Sequence, residues 1–282
     1  MTTASRNPRR ILMWLLLLTL FAALVYAGAE LMGQANMNCA DAGFTGAGME
    51  MASLESIKPS KAAPAKASES QRLLNKIKAV DREYQSLVKK ARSETVSSGH
   101  VSEGTRSAGL ACAGRYQQAS DAYAAYWEKN GNTKRAVLAR EAGLSRVKNA
   151  EMTFNDVDSS RISAYNDQQE KLAAARKAYL EEAKTDVSDA DRAAIKSSLQ
   201  PRLEAMAGEV KNLISSLTSL RTQVRGQAGG GIGAIGGCAK QAVTSGASGG
   251  VGGLLSPVTN LLSLAKSMGS NVTGMLSELA SL

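Results

Sequence analysis

One run constrains this chain more than any other. Residues 11–29, ILMWLLLLTLFAALVYAGA, hold no charged side chain over 19 positions. At about 1.5 Å of rise per residue, a helix of that length nearly spans a hydrocarbon core of about 30 Å. Arg6, Arg9 and Arg10 precede the run and Glu30 follows it. Positive charge is retained on the cytoplasmic side, so this flank predicts a cytoplasmic basic tail (1–10) and an exported, periplasmic or extracellular, body. Val25-Tyr26-Ala27 offers a passable signal-peptide cleavage site. However, the apolar stretch is slightly longer than the usual signal core, so an uncleaved single-pass anchor fits better. Asn36-Met37-Asn38 before Cys39 does not resemble a lipoprotein cleavage box.

The rest of the chain must bury a core with few bulky groups. Aromatic residues make up 4% of the 282 positions, with 3 Phe and 2 Trp, and there are only 5 Pro. Ala, Ser, Gly, Leu, Lys and Glu dominate, a composition suited to helices packed around small side chains. The predicted fold class is all-α: an elongated helical bundle of coiled-coil hairpins behind the transmembrane helix, followed by a Gly-rich tract and an amphipathic C-terminal helix. The predicted segments are a linker at 30–68, a helical bundle at 69–225, a Gly-rich hinge or membrane-active tract at 226–253 and the amphipathic helix at 254–282.

Apolar periodicity carries these assignments. Leu73, Ile77, Val80, Tyr84, Leu87 and Ala91 alternate spacings of four and three, a seam that calls for a partner helix. Gly99 and Gly104 bracket a break. Cys112, Tyr116, Ala119, Tyr123 and Tyr126 repeat the spacing up to the turn Asn130-Gly131-Asn132, after which Thr133 can cap the next helix. Residues 133–154 are helical but weakly patterned, and 155–160 read as an interruption. Ile162, Tyr165, Leu172, Tyr179 and Ala183 mark another helix. Ser188-Asp189-Ala190-Asp191 resembles a helix start, and Pro201 should kink that helix or restart it. Leu203, Met206, Val210, Leu213, Leu217, Leu220 and Val224 form the cleanest stripe, read as a seam for self-association. Leu254, Val258, Leu261, Ala265, Met268, Val272, Met275, Leu279 and Leu282 form the last one. After the anchor, 30–68 reads as loose chain, and the Pro, Ala and Lys of its core, Lys58-Pro59-Ser60-Lys61-Ala62-Ala63-Pro64-Ala65-Lys66-Ala67, read as an extended linker.

Charge is uneven within a net of +9. Residues 57–92 carry ten Lys/Arg against three Asp/Glu, whereas residues 151–191 carry ten Asp/Glu against five Lys/Arg. Opposite signs predict that these segments face each other, the alternative being that the basic one is a patch for anionic lipid or nucleic acid. Aromatic residues do not interleave with the basic ones, so no nucleic-acid partner is expected.

The 28 residues of 226–253 include 12 Gly. In water such a tract is a hinge, because Gly costs about 1 kcal/mol in a helix interior relative to Ala. In a bilayer, glycines four apart, such as Gly226/Gly230 and Gly233/Gly237, allow close helix contact.

Chemical motifs are weak. Gly231-Ile232-Gly233-Ala234-Ile235-Gly236 matches a dinucleotide fingerprint in letters only, since a helical pattern precedes it and no acidic residue follows until Glu278. Ser-x-x-Lys occurs at Ser86/Lys89, Ser145/Lys148 and Ser263/Lys266 without companion motifs. His100 is the single histidine, in a Ser/Gly turn. Cys39, Cys112 and Cys238 form no CxxC pair, so zinc is not expected. Either one disulfide with a leftover thiol or buried free thiols remain open, Cys112 being the best candidate for burial. Asn271-Val272-Thr273 fits a glycosylation sequon.

No catalytic, cofactor-binding or metal-binding residue is assigned, and no enzyme activity, cofactor or small-molecule substrate is expected. The expected function is a structural or assembly component of a cell-envelope machine for secretion, conjugation or pilus-like assembly. Its partners would be the membrane, copies of itself or other envelope proteins. The alternative is an exported membrane-active protein that inserts its C-terminal region into a target bilayer. Both rest on analogy of architecture, not on a family signature.

Overall fold

The computed structural model describes the backbone of residues 8–61, 67–234 and 251–282. Side chains of 8–18, of several residues between 20 and 25, of 67–68, of 228–234 and of 251–252 also lie outside the description. The chain is all-α, with seven α-helices and no strand among the described residues. They are α1 (Pro8–Glu55), α2 (Ala67–Ser98), α3 (Glu103–Lys129), α4 (Thr133–Thr153), α5 (Ser159–Asp186), α6 (Asp189–Ala234) and α7 (Leu255–Ser281). A short 3-10 turn, Val251–Leu254, leads into α7.

The helices run up and down. Asp41 pairs with Arg92 and Glu55 with Lys78, so α2 returns antiparallel to α1. Glu83–Arg115, Glu128–Arg140 and Arg135–Glu182 set α3, α4 and α5 antiparallel in turn. Thr45–Glu209 and Arg202–Glu55 lay α6 antiparallel to α1. The succession α2, α3, α4, α5, α7, α6 curves around α1, which itself packs on α2, α4, α6 and α7.

The expected linker is therefore corrected. Residues 30–55 are not loose chain but the core half of α1, a helix buried on nearly every side. Its glycines and alanines permit this rather than breaking it. A Cβ at Gly43 would overlap the Thr153 side chain, and one at Gly46 the Tyr165 hydroxyl. A helix enclosed all round has no polar face, so its sequence shows no amphipathic period. Among the described residues, non-helical backbone follows α1 at 56–61.

The Gly99 break holds, with φ +79° there and Ser102 capping α3. The Asn130-Gly131-Asn132 turn holds too, with φ +75° at Gly131. The cap of α4 is Asn132 rather than Thr133, and it makes no side-chain capping bond. Asp158 caps α5, accepting from the Ser160 and Arg161 amides. Ser188 caps α6, its Oγ accepting from the Asp191 amide at 3.1 Å. Helix α6 continues through Pro201 without restarting. Pro201 lies on the exposed face, where water can take the carbonyl that lacks a donor.

On α2 the seam is shifted. Ile77, Tyr84 and Ala91 are buried as expected, but Leu74, Asp81 and Val88 fill the alternate positions instead of Leu73, Val80 and Leu87. The stripe from Leu203 to Val224 is buried throughout, and so is that of α7 from Leu254 to Leu279. They pack on each other and on α1 within one chain. The α6 seam, read as one for self-association, is thus covered by α1 and α7 of the same chain. The basic and acidic segments do not face each other along their length: α2 packs on α1 and α3, and α5 on α4 and α7. Among the described residues they meet where the loop after α1 reaches the end of α5, the Lys58 amide donating to the Tyr179 hydroxyl at 2.9 Å, Ser60 to Asp186 at 2.7 Å and the Lys61 amide to the Asp186 carbonyl at 2.8 Å, and where the Tyr84 and Phe154 rings touch.

Among the described residues no helix is long and apolar enough to cross a membrane. Most side chains of the expected anchor at 11–29 lie outside the described residues, although its backbone continues α1 as helix.

Two glycines of contrasting surroundings test this packing. Gly46→Ala should destabilise the protein by about 1–3 kcal/mol, because the added methyl displaces Tyr165. Gly114→Ala on α3, with open space around its Cβ, should be neutral or stabilising by up to about 1 kcal/mol. Thermal unfolding of the detergent-solubilised chain, followed by circular dichroism, measures both.

Candidate functional site

The most concentrated chemistry in the molecule lies in its interior. Arg146 on α4 is fully buried. Its Nε donates to Glu50 on α1 at 2.5 Å. Its Nη2 donates to Asp81 on α2 at 2.7 Å and to the Ala47 carbonyl at 3.1 Å. Its guanidinium lies 4.4 Å from the Tyr84 ring centroid and 3.9 Å from that of Tyr116 on α3. A delocalised planar cation suits such stacking, and its fork of donors reaches two carboxylates at once.

Around this centre a polar network links α1, α4 and α5. Ser145 donates to Glu50 at 2.7 Å, and Gln169 donates to Ser145 at 2.8 Å and to the Tyr165 hydroxyl at 2.9 Å. Asn149 donates to the Gly43 carbonyl at 2.9 Å and accepts from Tyr84 at 3.1 Å and Thr153 at 2.9 Å. The close approach at Gly43 and Gly46 brings these groups within reach of α1.

One guanidinium faces two carboxylates here, leaving a net negative charge away from water if both ionise. Burial accordingly raises the Glu50 pKa above the usual carboxylate range, opposed by Arg146 and by hydrogen bonds from Ser145 and Asn149. Burial also raises the phenol pKa values of Tyr84, Tyr116 and Tyr165.

A second arginine ties the far end of the bundle. Arg135, also fully buried, donates to Glu182 at 2.6 Å, Asp186 at 2.5 Å, the Lys58 carbonyl at 2.8 Å and Asn132 at 2.9 Å. It lies over Trp127 and Tyr179. Burial would raise the Asp186 carboxyl, but bonds from Ser60 and Arg135 hold it below its ordinary value. A third, Arg176, pairs with Glu278 and fastens α7 to α5.

The Arg146 network is enclosed, while Arg135 and Arg176 reach partly exposed carboxylates, and the geometry of all three suits holding helices together. Sequence reasoning missed them because it followed apolar stripes. Arg135, Arg146, Asn149 and Gln169 at core-facing positions are legible only once the faces are known.

The motifs weighed from sequence are dispersed. Ser145 donates to Glu50, while Lys148 pairs with Glu151, so Ser145/Lys148 is no dyad. Ser86, Ser263 and Lys266 are exposed. His100 is exposed in its turn, its Nδ1 3.0 Å from the Ser98 carbonyl. Residues 231–234 of the Gly-x-Gly-x-x-Gly match belong to α6, so helix and not strand leads into it, and the remainder lies outside the described residues.

Cys39 and Cys112 are buried free thiols, which excludes a bond between them, and burial pushes their pKa values to about 12 and about 11. Cys238 lies outside the described residues. Asn271 of the sequon has its amide nitrogen buried, so a glycan there requires α7 to shift. Among the described residues no group of three or more His, Cys, Asp or Glu could hold a metal ion. An open groove of about 420 Å³ between α6 and α7 is lined by Lys196, Gln200, Glu204, Leu276, Leu279 and Ala280. In it Lys196 donates to the Ala280 carbonyl at 3.4 Å and Gln200 to Glu204 at 3.0 Å.

Arg146→Met should destabilise the protein by about 3–5 kcal/mol, since Glu50 and Asp81 then remain buried without their cation. Glu50→Gln keeps the shape of the protonated acid. A raised native pKa means that wild-type stability from this group is present below the unfolded carboxyl value and lost as pH rises through the native one. The stability of the Gln variant relative to wild type should therefore increase from pH 4 to pH 7, measured by urea unfolding at each pH.

Comparison with protein-family models, with curated proteins and with solved structures finds no match to this chain.

Proposed function

We propose that this protein is a non-enzymatic, membrane-anchored scaffold of the cell envelope, with a cytoplasmic N-terminus and an exported helical body. The supporting observation is the continuity of α1. The same helix that carries the 11–29 apolar run becomes the central helix of the body, without a linker. A flexible tether would leave the body free to swing, whereas a continuous helix fixes its distance and orientation relative to the membrane. That arrangement suits a part that must present a surface at a set position to other copies or other envelope proteins.

The C-terminal helix supports ranking assembly above attack on a target bilayer. Its apolar face, including Leu261, Met268 and Met275, is buried against the chain's own helices. Two buried arginine networks further tie the body together, as a rigid strut requires.

Topology provides the test. A reporter that is active only after export, fused at the exposed Gly131 turn, should be active, and the protein should stay with membranes through carbonate washing. An inactive fusion in cells that make the protein would reverse the assignment of sides, and release into the wash would remove the anchor.

A further inference from the structure

Three features of described residues converge at one end of the bundle. The first is where α1 leaves it. Leu31 is buried, whereas Thr19, Ala22, Ala23, Tyr26, Ala29 and Glu30 are exposed, so α1 stands clear of the body before residue 31. The second is where α6 leaves it. Val224 is buried in a cluster with Leu31, Ala35, Leu220, Leu254 and Val258, and Arg225, Gly226 and Gln227 are exposed. The third is where the chain comes back. The turn Val251–Leu254 places Leu254 in that same cluster.

Direction completes the geometry. Because α6 is antiparallel to α1, following α6 toward its C-terminus is following α1 back toward the anchor. Helix α6 does not stop at the end of the bundle. It continues ten residues beyond Val224 to Ala234, a helical length of about 15 Å. If residues 11–29 span the bilayer, the hydrocarbon begins within about a turn of Leu31, because no linker intervenes. The α6 extension then starts at the membrane surface and points inward.

Its chemistry agrees with that placement. Arg225 falls at the expected headgroup level, where a cation is favourable. No further charged residue occurs until Lys240. Its N–H groups are all bonded within the helix, and the last four carbonyls, of 231–234, need partners beyond it. Gly226, Gly230 and Ala234 recur at spacings of four, so one face can lie close against a neighbouring helix.

We propose that the α6 extension, residues 226–234, is embedded in the same bilayer as the anchor, as a second membrane element in cis. This inference rests on the anchor reading. It assigns this extension to the protein's own membrane and not to an opposing one. The extension is about half as long as the hydrocarbon core is thick, so it enters without crossing, and the chain returns to the same face at Val251–Leu254.

Single-cysteine accessibility tests this in the full-length chain reconstituted into phosphatidylcholine/phosphatidylglycerol vesicles. Cys238→Ser is the background, and the buried Cys39 and Cys112 are retained. Ala22→Cys reports the anchor, Gly230→Cys and Ala234→Cys report the extension, and Gln223→Cys, exposed on the bundle, reports the aqueous side. The probe is a membrane-impermeant maleimide. The expected result is loss of labelling at 22, 230 and 234 in intact vesicles, recovery of all three in detergent, and labelling at 223 in both. Protection at 22 with labelling at both 230 and 234 in intact vesicles overturns the inference and leaves the anchor standing. Labelling at 22 in intact vesicles removes the anchor and the inference with it. Protection of 230 and 234 that persists in detergent also overturns the inference, because protein rather than lipid then covers them. Two reporters on the extension keep the test decisive if Gly230→Cys fails to fold.

Discussion

The buried guanidinium of Arg146 is the constraint on which the rest of the bundle depends. It sits where α1, α2, α3 and α4 converge, paired with Glu50 and Asp81 and stacked between Tyr84 and Tyr116. An unpaired charge in this interior would cost several kcal/mol, whereas its apolar neighbours could slide a turn with smaller loss. Slipping any one of these helices would strip Arg146 of a carboxylate or a ring. The network thereby fixes register in a core otherwise rich in Ala and Leu, residues whose packing specifies position weakly.

That requirement explains the composition of α1. For Asn149 and Tyr165 to reach Glu50 and the Gly43 carbonyl, α4 and α5 must approach the α1 backbone closely. Small residues at 43 and 46 allow it. The same smallness lets one helix be enclosed by several others, which is how a chain with few aromatic residues builds a core. Arg135 acts similarly at the opposite end, where one side chain joins the loop after α1, the turn before α4 and the end of α5.

Rigidity at the centre bears on the proposed role. The shaft that organises the bundle is also the helix that leads to the apolar N-terminal run. Displacement of the body relative to the membrane would therefore bend a helix rather than flex a tether. Helix α7 is held differently, by an apolar stripe and the Arg176–Glu278 pair, and it returns to the bundle only after the glycine-rich region.

The sequence alone determined that the chain is helical, where most helices break, and which stripes of α5, α6 and α7 are apolar. Those features are local: a turn is encoded in Asn130-Gly131-Asn132, and a face in residues three and four apart. Tertiary structure alone decided that α1 is the core and not a linker, because a helix buried on all sides carries no period to read. It also decided that Asp81 rather than Val80 lies in the α2 seam, since only the proximity of Arg146 makes a buried carboxylate tolerable there. Weak patterning in α4 has the same origin: its inward face carries Arg135, Ser145, Arg146 and Asn149, polar groups bonded to partners as far as 106 positions away in the chain. Finally, a stripe such as that of α6 states that a partner is required but not whose. Only the fold shows that α1 and α7 of the same chain supply it.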